Sequence, residues 1–252
     1  MINPARIDFS QLKNWLVENS DAIEPGLSLY DERLDLGVKL SVPVYGIDAL
    51  GRPCLCIIHP ILDSTVFEKM LEAIAQMQTQ GRRFSTLFPR PSEPRIFLIT
   101  ASIAPDLRQS LDLLTRAFPL RTFVVSDTLV AKATNKLHLE DPINSCRPHS
   151  LSSQLEPGIA ARANRLMNAA ESLQPPILMQ GHDWPIIFVN ESGPIAALFA
   201  DEDKLLFVQG HALHDNTRLL LENDEVVDTA IDYLLRCQIN AEPAKPEAVT
   251  IG

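Results

Sequence analysis

Apolar positions recur at helical spacing in five stretches of the chain and at strand spacing in several more. Phe9, Leu12, Trp15 and Leu16 share one face of a helix running from Phe9 to about Asn19, with Asp8 placed to cap it. Val66, Phe67, Met70, Leu71, Ile74 and Met77 form the longest apolar stripe. They predict a helix from Ser64 to Gln80, capped by Asp63 or Ser64 and closed by Gly81. Leu107, Leu111 and Leu114 mark a third helix from Pro105 to Ala117. Strands are expected at Lys39–Tyr45, Pro53–Ile58, Arg95–Thr100 and Leu120–Val125. The first two are joined across the turn Asp48-Ala-Leu-Gly51-Arg52 as a β-hairpin. Cys54 to Ile58 is apolar without alternation, which predicts a strand covered on both faces. Strand, helix, strand, helix, strand at these spacings implies parallel pairing.

From Ala133 to Pro157 the periodicity stops and prolines, serines and asparagines take over, as expected of a linker or an irregular packed arm. Beyond it, Ile159–Leu173 reads as a helix. Ile177–Met179, Ile186–Val189, Ile195–Phe199, Leu205–Val208 and Leu219–Leu221 read as short strands. A last helix, Glu225–Gln238, turns Val226, Val227, Ala230, Ile231, Leu234 and Leu235 inward. The organisation expected is an α/β domain over 1–132, a linker over 133–157, a small α+β domain with an antiparallel sheet over 158–240, and a loose tail over 241–252.

The hairpin and its surroundings carry a resemblance. The order helix, hairpin, long helix, strand, helix, strand over about residues 8–130 resembles the PD-(D/E)XK, or restriction-endonuclease-like, nuclease superfamily. So do the turn Asp48-Ala-Leu-Gly51-Arg52, the strand Pro53-Cys-Leu-Cys-Ile-Ile58 and the strand Arg95-Ile-Phe-Leu-Ile-Thr-Ala101. The resemblance implies a mixed sheet flanked by helices and, in an active member, two carboxylates holding Mg²⁺ beside a lysine. It places the metal-binding aspartate at Pro43, the glutamate at Ile57 and the lysine at His59. None of the three can perform that role. From Ser41 to Ile58 the only acid is Asp48, in the turn. The site implied by the resemblance is therefore vestigial at Pro43, Asp48, Ile57 and His59, and His59 also fits a plain strand-end residue before Pro60.

Charge narrows the partners. The 22 Lys+Arg against 32 Asp+Glu give a net −10, which opposes polyanions unless cations cluster locally. Arg82, Arg83, Arg90 and Arg95 form the one basic cluster, fit for an anion or an acidic partner, or else a solvated loop. Aromatic residues, 6% of the chain, are too dispersed for a base-stacking platform.

Other candidates are less specific. His211 and His214, followed by Asp215, have a spacing that binds metal on a helix, but lie where a loop is expected. His182-Asp183-Trp184-Pro185 fits a hairpin turn, and His138, Cys146 and His149 match no standard zinc spacing. Cys54 and Cys56 fit buried small hydrophobes in a reducing cytoplasm. Gly-x-Ser-x-Gly, Gly-x-Gly-x-x-Gly and P-loop patterns are absent. No secretory signal or membrane span is expected. The function expected is a non-catalytic binding or assembly protein, cytoplasmic, without a cofactor, with a protein partner or a second copy favoured over nucleic acid. The alternative is an active metal-dependent nuclease or other hydrolase with a divergent site.

Overall fold

The computed structural model describes residues 9–37, 40–42, 44–91, 93–117, 120–125, 139–140, 151–181, 184–191, 193–201, 204–210 and 218–240. Its first half is a six-stranded mixed sheet. Helix α1 (Phe9–Glu18) precedes β1 (Ser28–Tyr30), β2 (Leu34–Gly37), β3 (Leu40–Val42), β4 (Val44–Ile47) and β5 (Pro53–Leu62). Then come α2 (Ser64–Gln80), β6 (Arg95–Ile103), α3 (Arg108–Ala117), β7 (Leu120–Val125) and β8 (Leu139–Glu140). The sheet order is β1-β4-β5-β6-β7-β8. β5, β6 and β7 run parallel, with α2 and α3 as the intervening connections, and the outer pairings are antiparallel.

Two-residue periodicity divides the central strands between two layers. Leu55, Ile96 and Leu98 pack with Val66, Met70, Ile74 and Met77 of α2. Cys54, Cys56, Phe97 and Ile99 pack with Leu12 and Leu16 of α1. The strand expected to be covered on both faces is so covered, and both of its cysteines are buried free thiols. The Asp63 carboxylate accepts from the Val66 N–H at 3.0 Å and caps α2.

Several expectations are corrected. The single strand expected at Lys39–Tyr45 is two. β3 pairs with β2 in a separate two-stranded sheet, while β4 joins the main sheet. Pro43 falls between them and has no N–H for a continuous ladder. β1 and β2 carry little strand signal because they are only three and four residues long and are separated by the charged run Asp31-Glu32-Arg33. β5 extends past Pro60 to Leu62. The β4 ladder ends at Cys56, so that side of β5 is an edge, where a missing N–H is tolerated. Gly81 does not end α2 in a left-handed cap; its φ is −51° and the chain continues into a 3-10 turn, Gly81–Phe84. Leu71 and Leu235, expected inward, are exposed. Within the expected linker, Leu139–Glu140 pairs with β7, and Leu151 and Ser152 are buried. Most of that segment, Leu114's side chain and the tail over 241–252 lie outside what is described.

The second half is an antiparallel five-stranded sheet, preceded along the chain by α4 (Pro157–Ser172) and followed by α5 (Asp224–Asn240). Its strands are β9 (Leu178–Gln180), β10 (Ile186–Asn190), β11 (Gly193–Asp201), β12 (Lys204–Gln209) and β13 (Arg218–Leu220), in the order β13-β12-β11-β10-β9. Both helices cover one face through Ile159, Leu166, Val227 and Leu234 against Phe188, Leu198 and Phe207. The opposite face, with Ile187, Ala197, Phe199 and Val208, meets Ala49 and Leu50 at the tip of the β4–β5 hairpin. The fold class is thus a mixed α/β sheet flanked by helices, followed by a smaller unit built on an antiparallel sheet.

Candidate functional site

The turn between β4 and β5 is built by Asp48. Its Oδ1 accepts from the Leu50 and Arg52 N–H groups, both at 2.9 Å, and Gly51 takes a left-handed φ of +80°. Its Oδ2 accepts from Arg52 Nε at 2.7 Å and from Arg95 Nη1 at 3.1 Å. Arg95, the first residue of β6, lies beside this turn because β5 and β6 pair in parallel with Cys54 opposite Arg95. The Arg95 guanidinium also forms a two-pronged pair with Glu24, with Nη2 to Oε2 at 2.7 Å. Arg121, on β7, stands 3.6 Å from Glu24 Oε2. Arg95 lies over the Phe97 ring and Arg121 over the Phe123 ring, at 5.2 and 4.9 Å.

The Glu24 and Asp48 side chains are fully buried and Arg95 nearly so. Burial pushes the Asp48 carboxyl up, but Arg95, Arg52 and the hydrogen bonds from Arg52 outweigh it and hold the group below its usual range. Burial works against the Arg95 cation, yet Glu24 and then Asp48 keep it charged. This is a closed ion network. Each Asp48 oxygen accepts two N–H donors, so that carboxylate offers no vacant lone pair to a metal in this arrangement; each Glu24 oxygen accepts one from Arg95, and the group is sealed from solvent by burial.

Among the described residues, Asp48, Ile57 and His59 do not converge on a common site. Asp48 is locked in the network. Ile57 is half-buried against the cluster that holds α2. His59 is exposed, its Nδ1 2.8 Å from the Ile61 carbonyl oxygen. Pro43, His182, Asp183, His211, His214, His138, Cys146 and His149 lie outside the described residues. Trp184, expected in a hairpin turn, is nearly fully buried.

The four arginines expected to form one cluster, for an anion or acidic partner or as a solvated loop, are dispersed. Arg82 and Arg83 are exposed, with Arg83 stacked 5.7 Å from the Phe84 ring centre. Arg90 grips both oxygens of Asp201 at 2.7 and 2.6 Å. Arg95 belongs to the interior. The reason is tertiary: the partners Glu24 and Asp201 lie 71 and 111 residues away along the chain. Glu24, Arg121 and Asp201 were missed by sequence reasoning. Glu24 sits beside the Pro25-Gly26 turn, and nothing local distinguishes it from a surface acid. Among the described residues no group of three or more His, Cys, Asp or Glu is placed to hold a metal ion. No described helix is long and apolar enough to cross a membrane.

No family model matches the chain, and no curated protein matches it. Among solved structures, a repair endonuclease from Pyrococcus abyssi is similar at 15% identity and a TM-score of 0.34, over 47% of each chain. The EndoMS-dsDNA2 complex is similar at 16% identity and a TM-score of 0.32, over 49% of this chain and 46% of that one. EndoMS in its apo form gives the same identity and score, over 48% of each chain. The match thus spans about half the length of each of these proteins, and superposition at that level assigns no activity to this chain.

Proposed function

We propose that this chain is a binding or assembly protein without nuclease activity, whose first unit is a restriction-endonuclease-like domain with its catalytic positions replaced. The observation that carries the reading is the state of Asp48. It is the one acid between Ser41 and Ile58, and its carboxylate is buried and saturated by Arg52, Arg95 and two backbone N–H groups. A Mg²⁺ ion needs accessible carboxylate oxygens with room for its waters. Ile57 offers no oxygen, and His59 is a nitrogen ligand suited to softer metals. The residues do not fit the ion that the fold family implies.

Two further features support the reading. The net charge of −10 repels nucleic acid, and two of the four clustered arginines are engaged by carboxylates.

The test is digestion of supercoiled plasmid and single-stranded DNA and RNA with Mg²⁺ or Mn²⁺ titrated to millimolar levels. No cleavage above a buffer control is expected. Metal-dependent cleavage that is lost in Asp48→Asn or His59→Ala, with the protein still folded, overturns the reading and establishes a divergent nuclease.

A further inference from the structure

The two helices that cover the second sheet meet differently at their two ends. Near the start of α5, Arg165 of α4 bridges Asp224 and Asp228, with Nη1 3.3 Å from Asp224 and Nη2 2.5 Å from Asp228. At the other end a cleft opens, lined by Leu173, Gln174, Leu235, Gln238 and Ile239. Leu235 is 41% and Ile239 61% exposed. Gln238 is only 7% exposed, and its Oε1 is buried without a hydrogen-bond partner. A buried acceptor left unpaired is costly, so a group that brings it a donor gains more than a surface hydrogen bond would.

Helical geometry extends this cleft into a longer feature. Asp228, Asp232, Leu235 and Ile239 are spaced by four, three and four residues and lie on one stripe of α5. The stripe runs about 16 Å from Asp228 to Ile239. Its first half is acidic and its second half apolar. Asp224, Glu225, Asp228 and Asp232 stand on this helix against Arg165 and Arg236, so carboxylates are in excess. Arg236 lies at the flank, its Nε donating to the Asp232 carbonyl at 3.3 Å.

We propose that this stripe and cleft dock a basic amphipathic segment of a protein partner, which sets an apolar side chain between Leu173, Leu235 and Ile239. The same segment presents an N–H donor to Gln238 and lays a lysine or arginine against Asp232, the acid of the stripe that Arg165 does not bridge. The proposal rests on the binding reading above and names the chemistry of the partner. Charge decides between a foreign segment and a second copy. Two chains of −10 repel, whereas a basic segment is drawn in by the same field.

The test uses the full chain and a short fluorescein-labelled helical peptide of leucine and lysine, with a leucine–glutamate counterpart as control. Anisotropy is expected to show binding of the lysine peptide that weakens as salt rises, and at least about tenfold weaker binding of the glutamate peptide. Leu235→Ser with Ile239→Ser leaves the net charge unchanged and is expected to weaken the lysine peptide about tenfold. Gln238→Leu is expected to weaken it a few-fold while leaving thermal stability equal or higher, since it removes an unpaired acceptor. Circular dichroism checks that each variant is folded. Equal binding by wild type and the double serine variant overturns the proposal, as does equal binding of the two peptides. Sedimentation showing a dimer that the double variant abolishes assigns the surface to a second copy instead. Metal-dependent cleavage by the wild type would defeat the non-nuclease reading and leave the peptide result standing.

Discussion

The two sheets solve the problem of an interior in opposite ways. The first buries Glu24, Asp48, Arg95 and Arg121 among its apolar side chains. The second buries no charged side chain among its described residues; its polar groups are neutral, the Tyr233 hydroxyl, which donates to the Ile195 carbonyl at 2.9 Å, with Ser152 and Gln238 at the edge. Desolvating a charge costs several kcal/mol, so the first interior holds together only because its carboxylates are paired with arginines. The second depends on shape, and its losses scale with the volume removed. Charge pairing fixes where the β4–β5 turn must sit relative to β6; apolar packing tolerates small shifts.

The sharpest way to break this comparison is a near-isosteric change in the first sheet. Glu24→Gln keeps the size of the side chain but takes the Glu24 charge away from Arg95 and Arg121. The expected loss is about 3–5 kcal/mol in urea unfolding. Ile186→Val in the second core removes a methylene and is expected to cost about 0.5–1.5 kcal/mol. If the methylene costs more than the charge, the contrast between the two interiors fails.

A smaller effect is expected where the two sheets meet. Arg90 and Asp201 form a two-pronged pair that is partly exposed, so Asp201→Asn should cost about 1 kcal/mol. Hydrogen exchange should locate that loss. The Arg90 N–H, which donates to the Gly51 carbonyl at 3.2 Å, should exchange faster in the variant, while the Leu166 and Met167 amides of α4 should not. Uniform acceleration would mean that the pair stabilises the whole chain and not the junction.

The smallest effect at neutral pH, and the most specific, concerns acid. The Asp48 carboxyl is held below its usual range in the folded chain. Between its folded and unfolded values the unfolded state binds the extra proton, so stability rises with pH there. The contribution is complete above the unfolded value of about 4 and is lost as pH falls through the folded one. Urea midpoints of wild type and Asp48→Asn should therefore converge below about pH 4 and stay parallel from about pH 5 to 8. A wild-type slope near pH 7 missing from Asp48→Asn would contradict the network.

Legibility in the sequence followed the range of the interactions. The Asp63 cap, the α2 stripe, the parallel strands and the second sheet were readable because their signals are local: a side-chain oxygen three residues from an N–H, a period of 3.6 or of 2. Asp48 was readable as a turn former for the same reason. Its role as an acceptor for Arg95 was not, because that contact depends on the register of β5 against β6. Arg90 and Arg95 read as one cationic loop, five residues apart, yet opposite sides of the turn claim them. The exposed end of α5 was misread because Leu235 continues the inward stripe by period, and only the end of α4 at Ser172 leaves it uncovered.

The hairpin tip also bears on how the protein can be taken apart. Gly26 has a φ of +82°, and a Cβ there would lie 2.9 Å from Val208 Cγ1 of the second sheet. The Ala49 carbonyl accepts from Arg218 at 3.4 Å, and Ala49 and Leu50 close over Phe199 and Val208. A short exposed turn is ordinarily a safe place to insert an epitope or to start a circular permutant. Here the turn is a tenon seated in a mortise. A cut or insertion between Asp48 and Arg52 would strip an apolar sheet face and unseat a buried arginine in one stroke. Expression trials that divide this chain should leave that joint whole and look for their cutting point elsewhere.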